Sequence, residues 1–378
     1  MKKQLTFFES VCIVAGNGIG GGVMAIPLLF NRAGLLPAII LLTATYIISV
    51  FLHIMVADML LKTKNGCQIL SVFNEFLFIG RLGKILSASF FGLLTLILFA
   101  NLSAYITGGA EIIVSLLGIP LLISKILYYI FSAGLVFFGL KAVGFGEKIT
   151  VIGILVVTAG LTLLSFGNIK NSIVIYQSSI PSYLTLYAMA MFSLSALFSV
   201  PQVVVGTSEN KAKIGPSIAC GLFINFIVTI LISVSSILSS AEVTEIAIIG
   251  WTDSLGLPVK IFASLFILFA MITSYWAISL TLADIVKEQL KLNKNICWLI
   301  ATLPSFSLTF ITGVGFADLV KIAGGAVAVI IALLLLPAYN NSLKDGKPPY
   351  ILRKLGQNKL LIITVAVFYI LMAVGSFI

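Results

Sequence analysis

Two stretches of the chain place reactive backbone, rather than reactive side chains, where a ligand can meet it. The first reads Ala15-Gly16-Asn17-Gly18-Ile19-Gly20-Gly21-Gly22, with Pro27 following. Five glycines in seven positions do not favour a continuous helix, because each costs about 1 kcal/mol relative to alanine. A helix that restarts near Gly20 aims free N–H groups, and the positive end of its dipole, at whatever lies in front of it, which suits a carboxylate. The second stretch reads Phe192-Ser193-Leu194-Ser195-Ala196-Leu197-Phe198-Ser199-Val200-Pro201-Gln202. Pro201 removes a backbone donor and clashes one turn upstream, so a break near Ser195–Ser199 is expected. Carbonyls freed from Phe192 to Ser195 suit an ammonium group. No Arg, Lys, Asp or Glu lies at either break, so the ligand these stretches fit is a zwitterion whose two charges are met by backbone dipoles. A ligand with a charged side chain is disfavoured. The candidate substrate contacts are Asn17, Gly18, Gly20, Gly21 and Gly22 in the first stretch, and Phe192, Ser193, Leu194, Ser195 and Ala196 in the second.

Each stretch has a plainer explanation. Gly16/Gly20 and Gly18/Gly22 fit the small-xxx-small pattern of close helix packing, and Pro201 alone is compatible with an ordinary kink. Against packing as the whole cause, the glycine cluster carries Asn17 and sits mid-span, where an unwound backbone has to line a cavity.

The elements that must hold these stretches are membrane spans. Sixty per cent of the 378 residues are apolar or aromatic, 10% are charged, and the mean hydropathy is +1.17. A soluble domain usually carries about a quarter charged residues. Apolar runs cover 7–30, 35–61, 85–117, 121–140, 149–167, 183–206, 214–240, 258–286, 296–314, 317–338 and 359–377. Eleven spans of about 20 residues use roughly 220 residues and leave only short connectors. Residues 65–80 are too polar to span and read as a helix on the membrane face; 241–257 reads as a partly helical outer cap. The first run lacks a signal-peptidase site and is taken as a mature span. Of the 23 Lys and Arg, only Arg32, Lys125, Lys170, Lys260 and Lys321 fall outside if the N-terminus is cytoplasmic; the other 18 lie inside. This bias explains most of the net charge of +10 without nucleic acid, and it puts the C-terminus outside. Cys12, Cys67, Cys220 and Cys297 form no paired motif and support neither a disulfide framework nor a zinc site.

Spans 1 and 6 are each the first of a set of five, and an odd number inverts the second set. Interrupted helices at corresponding positions of inverted halves are a pointer to a transporter's binding site. The expected fold is therefore an all-α membrane protein of eleven transmembrane helices, a five-plus-five inverted repeat with discontinuous helices 1 and 6. Residues 1–170 form the first repeat, 183–340 the second, and 341–378 a loop and span 11.

Gly16, Ile19, Gly20, Gly22, Ala25 and Pro27 match the G-x-x-I-G-x-G-x-x-A-x-P pattern of the amino acid/auxin permease group, within the amino acid–polyamine–organocation superfamily. The chain resembles especially its bacterial hydroxy- and aromatic amino acid permeases. Ser199-Val200-Pro201 and Thr273-Ser274 resemble the group's corresponding segments, so the likeness runs through the whole chain. It implies the inverted-repeat fold and amino acid symport. Leu197 and Phe198 stand where those permeases usually have a His-Gly pair, which argues against an aromatic substrate.

Ala270, Thr273 and Ser274 share one helical face by i, i+3 and i+4 spacing, although Thr and Ser can also bond back to their own helix. The resemblance to sodium-coupled members of the superfamily implies a site formed by Gly16, Ile19, Ala270, Thr273 and Ser274, five neutral oxygens suited to Na+. Val23 departs from the pattern of a second sodium site. The resembled permeases themselves are usually regarded as proton symporters, and some proton-coupled members place a span 5 lysine at the sodium position. Residues 149–167 contain no charged residue, which leaves Glu111 and His53 as candidate proton carriers.

Asn101 and Tyr105, four apart on span 3, are candidate substrate contacts, with Phe192 and Phe198 closing around an apolar side chain. Asp318 and Lys321 form a candidate outer-gate pair. The function expected is secondary uptake of a neutral amino acid across the inner membrane, coupled to Na+ or alternatively H+; a non-transporting amino acid sensor is the other reading. A passive channel needs a continuous polar pore, and an enzyme needs a catalytic constellation; neither is visible. Expected partners are the amino acid and membrane lipid, with no nucleic acid, cofactor or obligatory protein partner.

Overall fold

The computed structural model describes residues 4–64, 66–170, 172–176, 179–243, 247–311, 334–344 and 346–375, and contains no strand among them. Helix α1 (Phe7–Gly18) starts at a capping box. The Thr6 hydroxyl accepts from the Glu9 N–H at 3.2 Å, and the Glu9 carboxylate accepts from the Thr6 N–H at 2.7 Å. These reciprocal bonds satisfy two of the donors that a helix start leaves open. Helical structure stops at Gly18 and continues through a short turn, Gly21–Met24, into α2 (Ile26–Ala33), whose start carries Pro27. Proline fits there because the first turn needs no N–H from it. The axes of Phe7–Gly18 and Gly22–Ala33 differ by 58°.

Next come α3 (Leu35–Lys62), the short α4 (Ile69–Phe76), α5 (Gly80–Leu117), α6 (Leu121–Phe138) and α7 (Leu140–Phe166). Gly139 joins α6 to α7 in a single residue at φ +90°, a conformation that glycine adopts without the penalty of a Cβ. That turn lets α7 begin nine residues before the 149–167 span read from the sequence. The correction matters, because the added turns contain Lys141, Glu147 and Lys148.

The second half opens with α8 (Ile180–Ser193), a turn at Leu197–Ser199, and α9 (Val200–Gly206) with Pro201 in its first turn. It continues with α10 (Ile214–Ser239), α11 (Ala247–Leu255), α12 (Leu257–Leu290), α13 (Lys294–Ile311), α14 (Leu336–Ser342) and α15 (Lys359–Gly375). Most of span 10, including Asp318 and Lys321, lies outside the described residues.

With α8 and α9 taken together as Ile180–Gly206, eight helical stretches among the described residues are long and apolar enough to cross a bilayer, or nine with the bent α1–α2 pair counted as one span. Large apolar side chains such as Leu82, Phe138 and Leu163 point outward, while Ser49, Thr229, Ser233, Thr273 and Asn225 are buried. This arrangement suits hydrocarbon outside and hydrogen-bonding groups inside. Helix α1 is central and packs against α7, α10 and α12. The amphipathic α4 buries Ile69, Leu70, Val72 and Phe73.

Candidate functional site

The two interrupted segments face one another across a small cavity. Its wall is formed by Asn17, Gly18, Gly20 and Gly22 from the first, Phe192, Ser193, Ser195 and Phe198 from the second, Asn101 and Tyr105 from α5, and Ile278 from α12. The free volume is about 40 Å³. By the same measure one water needs roughly 10–15 Å³, so this is room for a few waters, and an amino acid requires the wall to open. None of the wall side chains is charged.

Local sequence explains why the wall is backbone. At the first break the Gly20 N–H bonds only as far back as the Gly18 carbonyl, at 2.9 Å, and the turn starting at Gly21 begins afresh. The first N–H groups of such a turn have no partner within it. A Cβ on Gly20 would stand 3.4 Å from the Ser274 hydroxyl and 3.7 Å from that of Tyr105, so this glycine faces both α12 and α5. A Cβ on Gly18 would collide with the Asn225 side-chain nitrogen. Gly22 packs under the Phe192 ring, with a Cβ position 3.2 Å from it.

At the second break the carbonyls are partly engaged. Ser195 N–H donates to the Phe192 carbonyl at 3.1 Å, and the Asn225 amide donates to the Ser193 carbonyl at 2.8 Å. The Leu194 N–H also points to the Phe192 carbonyl, whereas the Ser193 carbonyl keeps a second lone pair. Leu194 and Ala196 do not form part of the wall: both are fully buried, and the Ala196 N–H donates to His53 Nε2 at 2.8 Å.

That bond defines His53. Its Nδ1 lies 2.6 Å from the Ser49 carbonyl, so Nδ1 carries the proton and Nε2 accepts. Both ring nitrogens are satisfied by the neutral tautomer, and a second proton would face the Ala196 N–H. His53 therefore serves as a brace for the broken segment. Glu111 is exposed on α5, away from the cavity wall.

Sequence reasoning missed two further braces. Gln202 Nε2 donates to the Ala277 carbonyl at 2.6 Å and to Thr281 Oγ1 at 2.9 Å, and Thr281 donates to the Phe198 carbonyl at 2.6 Å. Ser199 donates to the Ile13 carbonyl at 3.1 Å. Gln202 was visible beside Pro201, and Asn225 as a lone amide inside an apolar run.

Beside the cavity, Thr273 Oγ1 lies 2.9 Å from the Gly16 carbonyl and 3.0 Å from each of the Ala270 and Phe269 carbonyls. A hydroxyl donates one proton, so three carbonyl oxygens around it make a patch of converging negative partial charge. Ser274 Oγ reaches the Asn17 carbonyl in a long contact of 3.4 Å. Ile19 is fully buried in the same segment. Among the described residues no cluster of three His, Cys, Asp or Glu can hold a transition metal. The chemistry offered is that of hard neutral oxygens.

Comparison with known proteins gives the family and the fold. A model of the tryptophan/tyrosine permease family matches residues 3–375. The chain belongs to that family. Among curated relatives of this tryptophan/tyrosine permease family member is glutamine transporter 2 of Aliivibrio fischeri, 22% identical over 356 residues that cover 87% of each chain. Among solved structures it is similar to Mhp1, a nucleobase-cation-symport-1 family transporter, in a closed conformation with bromovinylhydantoin bound. The TM-score is 0.71 at 13% identity, covering 99% of this chain and 91% of that one. At that identity the likeness shows a shared fold. The chain is an amino acid permease by family and a multi-pass helical membrane protein with the Mhp1 fold. The relatives found are transporters.

Proposed function

We propose that the protein is a secondary active symporter that takes up a neutral amino acid by alternating access, coupled to Na+. The observation that carries this reading is the cavity walled by backbone from two interrupted segments, with no charged side chain on it. The amino acid's carboxylate meets the N–H groups at Gly20, Gly21 and Gly22, with the Tyr105 hydroxyl beside them. Its ammonium group meets the Phe192 and Ser193 carbonyls and the polar side chains of Asn17, Ser195 and Asn101. Phe192, Phe198 and Ile278 enclose an apolar or amide side chain.

In this reading the chain crosses the inner membrane eleven times, with a cytoplasmic N-terminus and the C-terminus outside. Residues 1–170 and 183–340 are inverted repeats, and 341–378 carry span 11. Spans 1, 2, 6 and 7 rock against spans 3–5 and 8–10 around the site. Contacts at the N-terminal end of α1 hold the cytoplasmic side shut: Lys141 Nζ lies 2.6 and 2.8 Å from the two Glu9 oxygens, and the Leu5 N–H donates to the Gly206 carbonyl at 2.8 Å.

Na+ lies among Gly16, Ile19, Ala270, Thr273 and Ser274. Because Gly16 and Asn17 also lead into the substrate wall, occupancy by the cation stiffens the backbone that binds the amino acid, and so couples the two. The test is uptake into proteoliposomes with Na+ replaced by choline at constant pH. Concentrative uptake is expected to collapse without Na+. Uptake that persists in choline and follows a pH gradient contradicts sodium coupling, and tight amino acid binding without any uptake indicates a sensor.

A further inference from the structure

Glu147 is fully buried, and among the described residues neither of its carboxylate oxygens has a hydrogen-bond partner. Its neighbours on the same face of α7, Val143, Gly144, Val151 and Ile154, are buried and apolar or lack a side chain. An ionised carboxylate left in such surroundings is strongly unfavourable unless a cation or several donors face it. The basic residues nearest in sequence do not supply one. Lys141 is held by Glu9, and Lys148, the next residue along, projects about 100° around the helix and is partly exposed.

What does face Glu147 is the first helix break. A Cβ built on Gly16 would collide with Glu147 Oε2 and stand 2.9 Å from the Thr273 Cβ. The absence of a side chain at Gly16 is therefore what lets the carboxylate touch the α1 backbone. The same residue presents its carbonyl to Thr273 Oγ1 at 2.9 Å. One carboxylate, three converging carbonyls and a hydroxyl are thus gathered where α1, α7 and α12 meet, and no basic side chain of the described residues bonds to the carboxylate.

We propose that Glu147 is the anionic ligand of the coupled cation, added from α7 to the five neutral oxygens of α1 and α12. This rests on the sodium reading above and extends it. The five neutral oxygens give the site its geometry, and Glu147 gives it the charge. With Na+ bound the cluster is neutral, which explains how a carboxylate can lie so deep without a protein partner, and a divalent cation would leave the cluster positive. The carboxylate also ties the cation to α7, so that binding draws together one rocking helix, α1, and two scaffold helices, α7 and α12.

The test is binding of radioactive Na+ to purified protein, compared between the native chain, Glu147→Gln and Thr273→Ala, with thermal melting of the same samples. Glu147→Gln is expected to weaken Na+ binding at least tenfold, about 1.4 kcal/mol. It is also expected to melt no lower than the native protein without Na+, since it removes an uncompensated buried acid, and to lose most of the upward shift that Na+ gives the native chain. Glu147→Gln with Na+ affinity within twofold of native, while Thr273→Ala loses it, overturns the proposal and leaves the five-oxygen site standing. A native chain that binds no Na+ overturns both together. A Glu147→Gln protein that melts lower and binds Na+ normally assigns the residue a structural role and also overturns it.

Discussion

The Asn225 side-chain amide donates to the Ser193 carbonyl at 2.8 Å while lying directly against Gly18. One residue of α10 thus clamps both interrupted segments, α1 at its end and α8 at its end. Asn225→Leu leaves the Ser193 carbonyl without that donor and pushes a branched side chain toward Gly18. The expected cost is about 1–3 kcal/mol of stability, read as a lower melting temperature. A larger relative loss is expected in amino acid affinity, because both halves of the wall move.

The glycines of the first break are not equivalent. Gly18→Ala drives a methyl group into the Asn225 amide, whereas Gly20→Ala meets only ordinary contacts at 3.4 and 3.7 Å. Gly18→Ala is expected to lower both melting temperature and substrate binding. Gly20→Ala is expected to fold normally and weaken substrate binding alone, because its methyl group occupies cavity. Melting curves and substrate titrations of the two variants separate these outcomes.

His53 has no open position for a second proton, since its neutral ring already donates to the Ser49 carbonyl and accepts from the Ala196 N–H. His53→Leu strips the Ala196 N–H of its acceptor and is expected to destabilise the protein by about 1–3 kcal/mol. The pH profile of the remaining uptake should match that of the native protein. A profile that loses one titration step would make His53 a proton carrier.

The ion pair between Lys141 and Glu9, at the N-terminal end of α1, lies one helical turn from Cys12, which is fully buried. In a chain where Cys67, Cys220 and Cys297 are replaced by serine, Lys141→Met should speed alkylation of Cys12 severalfold by releasing that end. Added amino acid and Na+ should change the rate again. Unchanged labelling in Lys141→Met would show that this pair does not hold the gate.

The turns at Gly21–Met24 and Leu197–Ser199 have local causes in the sequence: glycines that do not favour a helix, and a proline that removes a bond from the turn behind it. The membrane class and the family pattern of Gly16, Ile19, Gly20 and Gly22 were readable for the same reason. Glu147 was missed because the Glu147-Lys148 charge pair marks a span boundary in any hydropathy reading, and the 149–167 span was cut there. The helix instead continues back to Gly139, and the buried face Gly144, Glu147, Val151, Ile154 keeps its helical spacing through the charge. His53, Gln202 and Asn225 reach Ala196, Thr281 and Ser193, which lie 32 to 143 residues away, so no local pattern records these pairings. The free carbonyls expected at Phe192 and Ser193 prove partly used, since the Leu194 and Ser195 N–H groups meet the first and the Asn225 amide meets the second.

The most direct test compares three ligands on the purified protein in saturating Na+: the best-binding neutral amino acid from a screen of the twenty, its methyl ester and its N-acetyl derivative. Calorimetry should find the amino acid bound and each derivative at least a hundredfold weaker, since each removes one of the two charges that the peptide groups at Gly20–Gly22 and Phe192–Ser193 receive. An ester or an acetylated form that binds as tightly as its parent would contradict recognition by those two stretches of backbone.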